Sequence, residues 1–241
     1  MSLFNIKDKV LLITGASSGL GKELAIQCSK LGAKVIITGR NESRLEETSS
    51  QSDSIYLSIP TDLSLENDIN KLVGLIPNLD GVIFCAGIVE YAPVKLINSN
   101  RINNTMSINF NSQVLLTQQL IKQKKLNRNS SLVYISSIAS KIGVAGTSMY
   151  AASKSALNAF VKVTATELSH QNIRVNSICP GIILTPMGEK AQSMNENVNK
   201  DYPLGLGTPK DIVGPCVFLL SEAGRWVTGT EMILDGGLTL I

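Results

Sequence analysis

A chain of 241 residues that is 44% hydrophobic and 17% charged has the apolar content for a sizeable core and too little charge for a disordered protein. Its net charge of +3 is slight for a nucleic-acid-binding surface, and the densest basic run (Lys122, Lys124, Lys125, Arg128) falls where a helix should end, its cations complementing the helix dipole. Four scattered cysteines without a C-x-x-C pair, a lone histidine (His170) without ligating neighbours, no leader-like apolar stretch and no apolar run near the roughly 18 residues of a membrane span argue against a disulfide framework, a metal centre and a membrane protein; they predict reduced thiols in a cytoplasmic protein.

Val10-Leu11-Leu12-Ile13-Thr14 is a continuous apolar run ending in a glycine-rich turn, and the helical periodicity from Leu20 to Leu31 stops at Gly32. Lys34 to Thr38 reads as a second strand closing at Gly39-Arg40-Asn41, with a short polar helix over Glu42 to Ser50. Ile55 to Ile59 is a third strand, Ser64 to Ile76 a third helix with a serine start, and Gly81 to Cys85 a fourth strand ending at Ala86-Gly87. A broad apolar face through Ile102, Met106, Phe110, Leu116 and Leu120 predicts one long helix from about Ser99 to Lys125. Leu132 to Ile135, Ile173 to Ile178 and Glu231 to Leu234 complete the strands; Met149 to Ser169 and Pro209 to Leu220 are helices, the second with proline in its first turn. Strands that are nearly all apolar and alternate with helices need crossover connections and cover on both faces. The pattern therefore predicts an α/β fold, one domain over residues 1–241 with a doubly wound parallel sheet of about seven strands.

Two motifs carry the chemistry. In Gly15-Ala16-Ser17-Ser18-Gly19-Leu20-Gly21 the glycines lie directly after a strand and before a helix, where backbone N–H groups and the helix dipole can hold a pyrophosphate. In Tyr150-Ala151-Ala152-Ser153-Lys154 the tyrosine and lysine are four apart, so one helix face presents both. An ammonium near a phenol favours the phenolate, and the pair is expected to lower the tyrosine pKa for proton transfer.

The G-x-x-x-G-x-G spacing, the Y-x-x-x-K pair and the length together resemble the short-chain dehydrogenase/reductase family over essentially the whole chain. The resemblance implies a Rossmann-like fold and a nicotinamide cofactor held by Gly15, Ser17, Ser18, Gly19, Leu20 and Gly21, with Asp62 and Leu63 at the adenine and Ala86 and Gly87 beside the cofactor. Arg174 to Gly181 is similar to the family's strand and P-G turn flanking the nicotinamide and Thr185-Pro186-Met187 to its threonine at the carboxamide and phosphate side, which implies Pro180, Gly181, Ile183 and Thr185 as cofactor contacts. Cys85 stands where the family usually has asparagine before Ala-Gly, and reads as a small packing residue. At the end of the second strand an NAD enzyme carries an acidic residue; this chain has Arg40, which can pair with a 2′-phosphate, so NADP(H) is expected ahead of NAD(H), with Asn41 and Arg44 as further candidates for the phosphate grip.

By the same resemblance the catalytic residues are Asn109, Ser137, Tyr150 and Lys154. Tyr150 would be general acid or base, Ser137 would hold the substrate oxygen, Lys154 would hold the nicotinamide ribose, and Asn109 would anchor water leading from Lys154 to solvent. The expected reaction interconverts a carbonyl and a secondary alcohol. Three readings stay open: a 3-oxoacyl-[acyl-carrier-protein] reductase that docks an acidic carrier, a reductase of small ketones or sugar-like alcohols, and a non-catalytic NADP(H)-binding sensor. Arg128 falls where a carrier-docking residue is expected, whereas Gln171 stands where a second usually lies. Residues 187–202 have the polar make-up of a substrate lid, and the long helices and the apolar tail Leu238-Thr239-Leu240-Ile241 point to a homotetramer.

Overall fold

Strands without polar alternation are buried on both faces in the middle layer of a protein; the central strands of this chain lie there, and its two edge strands are partly exposed. In the computed structural model, which describes residues 3–52, 54–194 and 198–240, the strands are β1 (Val10–Thr14), β2 (Lys34–Gly39), β3 (Ile55–Pro60), β4 (Leu79–Phe84), β5 (Leu126–Ile135), β6 (Arg174–Pro180) and β7 (Glu231–Leu234). They form one 7-stranded sheet in the order β3-β2-β1-β4-β5-β6-β7, parallel throughout. The helices are α1 (Gly19–Lys30), α2 (Glu42–Ser49), α3 (Glu66–Leu75), α4 (Ser99–Met106), α5 (Ser112–Lys122), α6 (Ser148–Leu168), α7 (Pro186–Met194) and α8 (Pro209–Leu220).

Successive strand residues point to opposite faces, so the sheet carries two cores. Leu11, Ile13, Val35, Ile37 and Val133 pack with Leu24, Ile212 and Leu219 of α1 and α8. Leu12, Ile36, Val82, Leu132 and Tyr134 pack with Leu72, Leu116 and Leu157 of α3, α5 and α6. Each fully buried aliphatic side chain contributes about 1.5–3 kcal/mol. The doubly wound α/β architecture is the one expected.

Several stretches depart from these expectations. The run expected as one long helix is α4, then a π-helical turn at Ser107–Asn111, then α5. Ser64 does not start α3: its N–H and Oγ–H both donate to Asp62 Oδ1, and Leu65 occupies the cap. The fifth strand begins six residues before Leu132, because the chain turns at Lys124 and pairs Leu126 with Leu79. Of the basic run, Lys122 ends α5 as expected and Lys125 donates to Ile76 O just past α3, but Arg128 lies on β5. Residues 187–202 contain most of α7 and a 3-10 turn at Val198–Asp201; Asn195, Glu196 and Asn197 lie outside the described residues, as does Ile241 of the tail.

The sheet order also locates the site. After β1 the chain winds outward through β2 and β3, then returns to the other side of β1 with β4. The crevice beyond the carboxyl ends of β1 and β4 is thus the topological switch point, where ligands of such sheets bind.

Candidate active site

The glycine turn fills the switch point. Gly15 adopts φ 67°, and a Cβ there would stand 2.8 Å from Ala86 Cα, so the turn and the exit of β4 meet backbone to backbone. Thr14 Oγ1 holds this contact by accepting from Cys85 N at 3.0 Å and Ala86 N at 3.1 Å. A side chain at Gly21 would run into the Gly15 carbonyl. Ser18 makes no side-chain cap and the first turn of α1 has no acidic residue, which leaves the positive helix end uncompensated. Across from it, the Thr185 side chain would be 3.5 Å from a Cβ on Gly19. A bare cradle at a helix N-terminus fits a pyrophosphate, so a dinucleotide would be held by Gly15 to Gly21.

The neighbouring loops follow. Arg40 is exposed at the end of β2, and Asp62 follows β3. Hydrogen bonds from Ser64 hold the Asp62 carboxyl below its ordinary range, and the Arg40 charge acts in the same direction, so the two are electrostatic neighbours. Asn41 is committed to capping α2, its Oδ1 accepting from Arg44 N. Leu63 is buried against the core. On the other flank, Gly181 N donates to Leu234 O and Ile182 N donates to the Tyr202 hydroxyl, which fixes the loop after Pro180. Ile183 pairs with Gly207, and Thr185 Oγ1 donates to Ile183 O.

Tyr150 and Lys154 share one face of α6, as their spacing predicts. Lys154 is 4% exposed; its Nζ donates to Ile135 O at 2.8 Å and lies 5.7 Å from the centre of the Tyr150 ring. Ser137 follows β5, and its Oγ accepts from Ala139 N, so its own hydrogen is available to a substrate or to Tyr150. Asn109 is fully buried in the π turn. Its Oδ1 accepts from Ile88 N at 2.8 Å, while Nδ2 donates to Ile88 O and to Ser153 Oγ. Both ends of the amide thus bind protein groups, and the side chain clamps the loop at Ile88 to α6. A Cβ on Gly87 would stand 3.3 Å from Asn109 Oδ1 and 3.5 Å from Lys154 Nζ, which joins these residues to the cofactor crevice.

Protonation departs from expectation in one respect. Burial pushes the Tyr150 phenol up to about 12, although the Ser137 hydroxyl pulls the other way. Burial pushes Lys154 down to about 8, with the neighbouring Cys85 and Cys179 opposing it. Desolvation thus sets the phenol's direction, and the Lys154 amine, itself buried and donating to a carbonyl, does not offset it. Burial also pushes the Cys85 thiol up to about 12 against the Lys154 charge, in keeping with a packing residue.

Three supporting residues were not singled out from the sequence. Thr14 ties the glycine turn to β4. Ser153 links Asn109 to α6, donating to Tyr150 O at 2.7 Å. Gln113 donates to Ala86 O and Asn109 O, bracing the π turn against the crevice. Ser153 alone had a local signal, since it lies between the tyrosine and the lysine at helical spacing.

The sequence profile described as Enoyl-(Acyl carrier protein) reductase matches residues 15–239. An NAD-dependent glycerol dehydrogenase of Listeria innocua serovar 6a is 32% identical, over 98% of this chain and 96% of its own. A 3-oxoacyl-[acyl-carrier-protein] reductase of Rickettsia bellii is 30% identical, over 99% of this chain and 100% of its own. A short-chain type dehydrogenase/reductase from Mycobacterium marinum superimposes with a TM-score of 0.91 at 26% identity, covering 99% of this chain and 98% of that one.

Proposed function

Because the chain belongs to the short-chain dehydrogenase/reductase family, an oxidoreductase family acting between alcohols and carbonyls, we propose that it uses NADP(H) to reduce a small carbonyl compound to a secondary alcohol, with Tyr150 as proton donor. The observation that carries this reading is the meeting of Tyr150, Ser137 and Lys154 beside the glycine-lined crevice. The bound nicotinamide supplies the hydride. Tyr150, protonated at neutrality, gives its proton to the oxygen that gains negative charge, and the Ser137 hydroxyl donates a hydrogen bond to the same oxygen. Lys154 holds the nicotinamide ribose and restores the Tyr150 proton, while Asn109 keeps α6 and the loop at Ile88 in register. In the oxidising direction the same groups act in reverse.

Arg40 supports NADP(H): an exposed guanidinium at the end of β2 suits a 2′-phosphate, and no carboxylate stands in its place. Ser17, Ser18, Leu20, Asp62, Leu63, Ala86, Pro180, Gly181, Ile183 and Thr185 complete the cofactor contacts in this reading, and residues 187–202 act as the lid.

Two substrate classes divide the relatives. Arg128 lies at the amino end of β5, about 23 Å along the strand from the end that leads to Ser137, so it does not line the cleft of its own protomer. The lack of a second cation, with Gln171 where it is expected, favours a free small carbonyl or polyol-derived ketone over an acyl group delivered by a carrier protein. The similarity to a carrier-dependent reductase is the observation for the second class. Following the nicotinamide absorbance with NADPH or NADH decides between them. Turnover of small ketones, faster with NADPH, is expected. Turnover of an acetoacetyl thioester alone would move the assignment to acyl-chain reduction, and tight NADPH binding without turnover to a sensor.

The reading extends to a homotetramer. Val163 on α6, Ile233 on the edge strand β7 and Leu240 of the tail are 59%, 43% and 85% exposed, apolar surface that a partner copy would cover.

A further inference from the structure

Asn158 continues the stripe of Tyr150 and Lys154 one turn further along α6, and it is 4% exposed. Its Nδ2 donates to Ser140 Oγ at 2.9 Å and to Glu231 Oε2 at 2.8 Å. Ser140 Oγ in turn donates to Ser137 O at 2.6 Å. The 3-10 turn that begins after Ser137 is thus tied, through two side chains, to the carboxylate of Glu231 on β7. That carboxylate is itself held: Lys141 pairs with Oε2, and Lys162 Nζ lies 2.6 Å from Oε1.

The donors in this chain have one assignment. Ser140 Oγ gives its hydrogen to Ser137 O and Glu231 has none to give, so both need the amide NH2 of Asn158. Turning the amide would set its oxygen against a carboxylate. The orientation leaves Asn158 Oδ1 buried without a partner, a cost that a residue serving packing alone would avoid.

We propose that Asn158 and Glu231 are positioning residues for Ser137, a relay from the edge strand that fixes the turn carrying the serine hydroxyl. The inference rests on the proposed role of Ser137 at the substrate oxygen. Its geometric half, that the relay rigidifies residues 138–142, stands apart from that role. The serine peptide group is anchored from below, its Oγ accepts from Ala139 N, and its hydrogen is thereby aimed at one place. A hydrogen bond formed to developing charge loses most of its effect when its donor is misplaced by about 1 Å.

The test compares wild type with Asn158→Leu, Glu231→Leu and Glu231→Gln. Turnover is read with NADPH and whichever carbonyl the wild type reduces, and backbone amide exchange is read at residues 139–142 and along α6. In both leucine variants kcat should fall about 10- to 100-fold, with kcat/KM falling in parallel. The cofactor Kd should stay within about 2-fold, and amides 139–142 should exchange faster while α6 stays protected. Glu231→Gln keeps an acceptor for Asn158 and should recover most of kcat despite losing both ion pairs. Unchanged kcat in an active enzyme overturns the inference, as does uniform loosening of the whole protein or no rescue by glutamine. If the wild type reduces nothing, the function proposed above fails; unchanged protection at 139–142 would then overturn this inference, and selective loss there would support its geometric half. Should Asn158→Leu not fold, the Glu231 pair carries the same comparison.

Discussion

Tyr150 and Lys154 show how one side-chain environment sets both partners. A phenol pushed up to about 12 is protonated at any physiological pH, the state that carbonyl reduction consumes. Tyr150→Phe should therefore lower kcat by about 10²- to 10⁴-fold with the cofactor Kd little changed, measured by steady-state turnover and cofactor titration. Lys154 moves from 10.5 unfolded to about 8 folded, so between these values the unfolded chain binds more protons and stability rises with pH. Below pH 8 burial of the charged amine has its full cost. In denaturant unfolding, wild type should gain relative to Lys154→Met by up to roughly 3 kcal/mol between pH 8 and 10.5; taking the difference removes the opposing titration of buried thiols and Tyr150. Arg40→Asp should reverse the NADPH preference, raising KM for NADPH about 10- to 100-fold, because a carboxylate repels the 2′-phosphate. The roles of Arg40, Tyr150 and Lys154 were implied by the family resemblance; that Tyr150 and Lys154 share one helix face was legible from their spacing. Their protonation was not, since it depends on how completely β5, α6 and the loop at Ile88 shut water out.

Elements were legible where they follow from periodicity, and were missed where their shape depends on a distant partner. All seven strands and the crossover helices can be read from apolar runs and glycine stops. The π turn at Ser107–Asn111 cannot: it exists because Asn109 must reach both polar groups of Ile88, and nothing within a helical window announces a partner twenty-one residues back. Asn109→Leu should remove three hydrogen bonds in a buried setting and destabilise the protein by about 2–4 kcal/mol in chemical denaturation, because the Ile88 peptide groups are left unpaired. The start of β5 was missed for a similar reason, as Leu126 pairs across a register shift at Leu79. The relay from Glu231 to Ser140 was likewise beyond local reading, because its members come from three separate segments.

For the molecule as a whole, the proposed tetramer gives the outward faces of α6 and β7 a purpose that the isolated chain does not. Sedimentation at micromolar concentration should show four copies, and Val163→Glu should shift the distribution toward smaller species while leaving the fold intact by circular dichroism. The strand order has a further consequence, for synthesis. Once β4 has paired with β1, every later strand joins the same side in turn, β5, then β6, then β7. A chain leaving the ribosome therefore adds to one growing margin and never has to prise open strands already laid down. Until β5 arrives, that margin is Val82-Ile83-Phe84, a bare apolar edge able to recruit another nascent chain. Translation arrested between Cys85 and Lys125 is expected to release fragments that aggregate through this edge.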